Sequence, residues 1–210
     1  MSSSGVSKMY PQGYYEEGKT LVQKRSMNNN CHLANFSHIK ESVGDEVWND
    51  MKESSIWVII KLYAADFIWS ARQVHYFLTN QMATKKNYEM WSLVGNKPIR
   101  FSLYEYGDIT DLNINPFDVQ DTWDVDHREF WEEMGVRDSL EGLCLNELLL
   151  IMGKCRPWSF DKRRMVGLLC LLSIGIYGIS ATSRIPLQAA KRVMDREAFD
   201  RYPWGRVGFK

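Results

Sequence analysis

Apolar and polar positions change their spacing several times along the chain, and each change predicts an element. From Asp45, "DEVWNDMKESS" sets Val47 and Met51 four apart behind an acid-rich start, which suits the positive end of a helix dipole. The stretch "SIWVIIKLYAADFIWSARQVHYFLTNQM" (55–82) is apolar on most sides at first. It then places Phe67, Ala71, Val74 and Leu78 at spacings of three and four, predicting two helices broken near Ala65 and Asp66.

The pattern next turns to strand. Met90 to Val94 is β-prone, Gly95-Asn96 is a turn pair that supplies positive φ, and Ile99 to Phe101 returns as a second strand. The result is one small β-hairpin over about 90–101. Pro98 has no N–H to give a ladder, so it must sit at an edge or at the start of its strand. Ser102, followed three residues later by Glu105, matches a capping box, and Phe101 with Tyr106 holds the staple positions. Three local signals thus agree on one helix start.

Beyond it, Asn115 to Ser139 reads as an acidic loop running into a short helix from about Val125. Leu140, Leu143, Leu145, Leu148, Leu149 and Met152 repeat toward a stop at Gly153. Ser159 or Asp161 can cap a helix carrying Met165 to Tyr177, in which Gly167, Ser173 and Gly175 let a neighbouring backbone come close and Gly178 can end the run. Pro186 marks a last helix start, with Leu187, Ala190, Val193 and Met194 as its stripe. Residues 1–36 are rich in Ser, Gly, Asn and Lys without periodicity and predict a disordered tail. The expected architecture is therefore α+β, mainly α-helical: a tail, then one domain over 37–210.

Charge changes the picture more than composition does. The net charge is zero, but residues 101–150 carry 2 basic and 13 acidic side chains, and residues 151–210 carry 12 and 4. Opposite blocks of this kind predict either internal docking or a bipolar surface that meets partners of both signs. A wholly nucleic-acid-committed surface is excluded by the zero balance. The longest apolar run, Met165 to Ser180, is 16 residues, short of the roughly 20 that cross a bilayer, so no membrane partner is expected. Four cysteines without a CxxC pair and an N-terminus without an apolar signal core predict an intracellular location, the nucleus included.

Candidate chemistry is sparse. Cys31, His32 and His38 lack paired zinc spacing, and the acidic stretch from Asp118 to Glu133 fails as a calcium loop because Glu129 would stand at the sharp-turn glycine. There is no phosphate loop, and Gly107 stands alone inside a predicted helix. No cofactor or metal is expected. His75, His127 and the cysteines leave a cysteine hydrolase as the weakest candidate. The stronger one is basic: Lys154, Arg156, Lys162, Arg163 and Arg164 gather around Trp158 and Phe160, with Lys191 and Arg192 following. Such a face suits nucleic acid, or docks on the acidic block.

"YEMWSLVGNKPIRFSLYEYGDITDLN", with "LLCLLSIGIYGISATSRIPLQAAKRVMDREAFDRYPWGRVGFK", resembles the plant family called domain of unknown function nineteen-eighty-five over roughly Asp45 to Lys210. Gly95, Pro98, Phe101, Ser102, Glu105, Pro203, Trp204 and Gly205 carry the resemblance. It implies a domain of transposon-derived proteins, often upstream of a SUMO-type cysteine protease. The family usually has Gly where this chain has Asp111, which leaves a helix stop less well supplied. No Asp-Cys-Gly nucleophile segment is present, so proteolysis does not carry over, and the end at "RVGFK" fits a truncated copy. The expectation is a non-enzymatic accessory module with an unknown protein partner; the alternative is a nucleic-acid-binding module using the C-terminal basic block.

Overall fold

A computed structural model of the chain describes residues 10–16, 19, 32–86, 88–136 and 140–209. A 3-10 turn (Leu33–Asn35) leads into α1 (Phe36–Val43), α2 (Asp45–Met51), α3 (Val58–Ala64) and α4 (Ala71–Thr79). Strands β1 (Gln81–Met82), β2 (Glu89–Val94) and β3 (Lys97–Ser102) follow, then α5 (Leu103–Thr110), α6 (Arg128–Glu133), α7 (Leu145–Met152) and α8 (Phe160–Leu171). A π-helical turn (Leu172–Ile176) continues α8. After it come α9 (Leu187–Lys191), a 3-10 turn (Arg192–Met194), α10 (Arg196–Arg201) and α11 (Trp204–Gly208). The architecture is mainly helical α+β, as the patterning predicts.

The core forms around α8, which Ser159 starts by accepting the Lys162 N–H at 3.4 Å. Val166 to Leu172 are all buried because the run is apolar on every side. At Gly167 a Cβ would lie 2.7 Å from the Met51 sulfur, so the glycine makes room for α2; Gly175 does the same for Ile59 of α3. The close backbone approach expected there is thus corrected: side chains of other helices fill the space at Gly167 and Gly175. Phe36 stacks on Tyr63 with ring centroids 5.0 Å apart and meets Trp48 edge-on at 6.2 Å, which ties α1, α2 and α3 together.

Phe36 corrects the boundary of the predicted tail. It is fully buried at the start of α1, and Leu33–Asn35 are already in a turn. Most of the tail lies outside the described residues. Within the described part, Gly13 bridges Met82, the Tyr14 N–H donates to the Gln81 carbonyl at 2.9 Å, and the Ala83 N–H donates to the Gln12 carbonyl at 2.9 Å.

The hairpin is present and gains a third strand: the sheet is antiparallel in the order β1-β2-β3. Gly95 (φ 49) and Asn96 (φ 55) both take the left-handed turn positions that match strand twist. Val94 faces Lys97 across the turn as a hydrogen-bonded pair, so the next pair, Leu93 and Pro98, is non-bonded and the Pro98 nitrogen points to the open edge. β1 is too short to leave an alternating pattern.

Two helical expectations need revision. The break between α3 and α4 falls at Asp66 (φ 49) as predicted, but no residue of α4 is buried, so the stripe from Phe67 to Leu78 does not enter the core. α7 begins at Leu145, not Leu140, because the Glu147 carboxylate accepts the Cys144 N–H at 3.0 Å and fixes the start there.

α5 stops at Asp111, which takes the left-handed conformation (φ 56) and donates its N–H to the Gly107 carbonyl at 2.7 Å. Short polar side chains tolerate this region at a cost that glycine avoids. Asp111→Gly is expected to raise unfolding free energy by about 0.5–1 kcal/mol, partly offset by the freer unfolded chain, measured by urea denaturation.

Candidate interaction surface

The family-like residues meet at one joint. The Ser102 hydroxyl accepts the Tyr104 N–H at 3.2 Å and also bonds the Glu105 carboxylate, which accepts the Ser102 N–H at 2.8 Å in return. Phe101 meets Tyr106 edge-on at 6.4 Å, and Phe209 completes the cluster at 5.7 and 5.5 Å. The Gly205 N–H donates to the Asn113 carbonyl at 2.9 Å, and Asn113 Nδ2 donates to the Arg201 carbonyl at 2.8 Å. Trp204 is buried with its indole N–H on the Phe199 carbonyl at 2.8 Å, following Pro203 at the start of α11. A Cβ at Gly205 would stand 2.7 Å from Ile114, so only glycine lets the two segments touch. These residues hold β3, α5 and α11 together.

The basic block is wired internally. Arg156 donates to the Glu41 carbonyl at 3.4 Å, and Arg163 bonds the Val43 carbonyl, so two guanidinium groups cap the C-terminal end of α1. Arg164 bonds Asp50 at 2.7 Å from a buried position, and Arg196 holds the same carboxylate at 2.7 Å. Both arginines hold the Asp50 carboxyl below its usual range against the opposing effect of its burial. Lys162 pairs with Glu133 at 2.5 Å. Lys191 and Arg192 are buried and pair with Asp124 and Asp121. Among the described residues Lys154 alone of the seven has a side chain with no ion pair or hydrogen bond; its backbone N–H donates to the Ile151 carbonyl at 2.9 Å. The expected basic patch is therefore corrected: three of its members are interior, and six are spent on the chain's own carboxylates or carbonyls.

The acidic segment between α5 and α6 is the other half of this wiring. It has no helix or strand and straps across α9 and α10. The Arg192 guanidinium lies between the rings of Trp123 (4.7 Å) and Tyr202 (4.1 Å), and the Trp123 indole N–H donates to Asp195 Oδ2 at 2.9 Å. Backbone N–H donation and Arg192 hold the Asp121 carboxyl low, and Lys191 does the same for Asp124. No local pattern announces this stack, since Asp121 and Arg192 are 71 residues apart. Its only sequence signal is the pair of opposite charge blocks. A cleft of about 670 Å³ lies beside it, between Phe117 and Arg201.

Among the described residues no three His, Cys, Asp or Glu converge on a metal position. Cys31 lies outside the described residues. Cys144, Cys155 and Cys170 are buried free thiols, and burial pushes the thiols of Cys155 and Cys170 up, away from the nucleophilic thiolate. His127 is buried edge-on against Trp131 at 5.0 Å. Among the described residues no helix is long and apolar enough to cross a membrane.

What the surface does offer is apolar. Ile68 is 84% exposed, and Phe67, Tyr76 and Leu78 are exposed beside it in sequence, on α4 and the linker before it.

A family model described as Domain of unknown function (DUF1985) matches residues 78–210. The matched span begins inside α4, later than the Asp45 limit that the resemblance suggests. No curated protein and no solved structure matches the chain.

Two outcomes follow. Arg192→Ala removes a paired cation between two rings and strands Asp121; it is expected to cost about 2–3 kcal/mol in chemical denaturation, whereas Lys154→Ala should stay within about 0.5 kcal/mol. The Glu105 carboxyl is held down to about 2, first by the Ser102 hydroxyl and then by Arg100. A carboxylate depressed in the folded state stabilises above its unfolded value of 4.5 and loses that contribution as pH falls toward about 2. The difference in melting temperature between the native chain and Glu105→Gln should therefore shrink across that window.

Proposed function

We propose that this chain, which belongs to the DUF1985 family of domains of unknown function, is a non-enzymatic protein-interaction module, an accessory domain of the kind that the resemblance joins to a SUMO-type cysteine protease. One observation carries this: the α4 region exposes Phe67, Ile68, Tyr76 and Leu78, and no residue of that helix is buried. Burying an apolar side chain stabilises by about 1.5–3 kcal/mol, so four left in water favour any partner that covers them. The nucleic-acid alternative has less support, because Arg164, Lys191 and Arg192 are interior and Arg156, Lys162 and Arg163 are engaged within the chain.

Proximity labelling in plant nuclei tests the proposal. The native chain is expected to mark a defined set of neighbours that Ile68→Asp with Leu78→Asp loses, while melting temperature changes little because both positions are exposed. An unchanged set of neighbours would overturn it. So would salt-dependent binding to random duplex DNA with Kd below about 100 µM, abolished by charge reversal at the exposed Lys154 and Arg156 with far-ultraviolet circular dichroism unchanged.

A further inference from the structure

The two faces of the sheet meet different neighbours: α4 on one, the segment at Tyr10 and Pro11 on the other. Ser92 is buried and donates its hydroxyl to the Phe77 carbonyl at 2.8 Å, so α4 lies over the face that Ser92 shares with its partner Ile99. Trp91 points the other way. The register puts Met82 opposite Trp91, and Pro98 opposite Leu93 two residues further along that same face. Tyr10 and Pro11, held by the backbone bonds at Tyr14 and Ala83, close this face into a groove of about 530 Å³.

The groove wall is specific in kind. It presents two aromatic rings and two prolines over the buried Met82, with Lys85 and Lys86 exposed on it. The Trp91 indole N–H donates to Glu89 Oε1 at 2.6 Å, and Lys86 stands 3.7 Å from the other oxygen of that carboxylate. An indole pinned in this way offers a flat apolar face with little ordering cost on binding. Rings and prolines in a row suit an extended polyproline II segment, which has few conformations to lose and presents its own proline rings to aromatic walls.

Charge selects the sign of the occupant. Among the described residues lining the groove there is no carboxylate, Lys85 has no ion pair, and the Glu89 carboxylate beside Trp91 is spent on that indole and on Lys86. We infer that this groove docks an extended, proline-containing, acidic segment of a partner protein. This gives the interaction role proposed above, on which it rests, a partner chemistry, at a surface separate from Ile68 and Leu78.

The test uses a synthetic peptide alternating Pro-Pro with Glu, titrated into the full isotope-labelled chain while the Trp91 indole resonance, assigned with Trp91→Phe, is followed. The expected result is a saturable shift, weakened about tenfold in Lys85→Glu with Lys86→Glu and in Tyr10→Ala, with far-ultraviolet circular dichroism unchanged. Equal binding by a peptide with Lys for Glu, equal binding by a proline-free acidic peptide, or no shift at millimolar peptide each overturns the inference. Ile68→Asp with Leu78→Asp should leave the titration unaltered, so failure here and failure of the α4 contact are told apart.

Discussion

Arg192 sets the main constraint on this chain. A guanidinium withdrawn from water costs several kcal/mol unless a carboxylate and good contacts compensate. Asp121 supplies the charge, and the Trp123 and Tyr202 rings cover the two faces of the guanidinium. Lys191, one residue earlier, makes the same demand and is met by Asp124. Pairing both cations places the acidic strap across α9 and α10. The path from α5 to α6 follows from that placement, as does the docking of Asn113 on α11.

The strap and the capped joint at Ser102 reinforce each other. Glu105 fixes the start of α5, and Asp111 stops it, which delivers Asn113 to the Gly205 N–H. Arg206 then donates to the Ile114 carbonyl at 2.9 Å and the Asn115 carbonyl at 2.8 Å, so the first residues of the strap are tied before the ion pairs begin. A helix of eight residues is too short to persist alone in water. Its cap, its staple and its contact with α11 stabilise one another instead.

How much of this was legible in the sequence depends on the range of the interaction. The turn at Gly95-Asn96, the edge position of Pro98, the cap at Ser102 and the break at Asp66 are settled within a few residues, and their signals are strong. Phe36 was hidden because its partners, Trp48 and Tyr63, come from two other helices. The stripe ending at Leu78 misled because periodicity reports an amphipathic face and not what covers it. The charge blocks were visible, but which cation meets which carboxylate is a property of topology. A row of seven basic residues therefore read as one surface when most of it closes the fold.

The residues that match the family and the residues that make the core do not share a boundary. The match begins at residue 78, yet Phe36, Ile39, Val43, Val47, Trp48, Met51 and Ile59 are all buried. Gly167, inside the matched span, has the shape it has because Met51 lies against it, and Gly175 answers Ile59 in the same way. Arg164 depends on Asp50, and Arg156 and Arg163 end on carbonyls of α1. Taken alone, the matched span would leave one side of α8 in water and a buried guanidinium without its carboxylate. The first three helices thus belong to the same physical unit as the matched residues, even where their sequence carries no family signal.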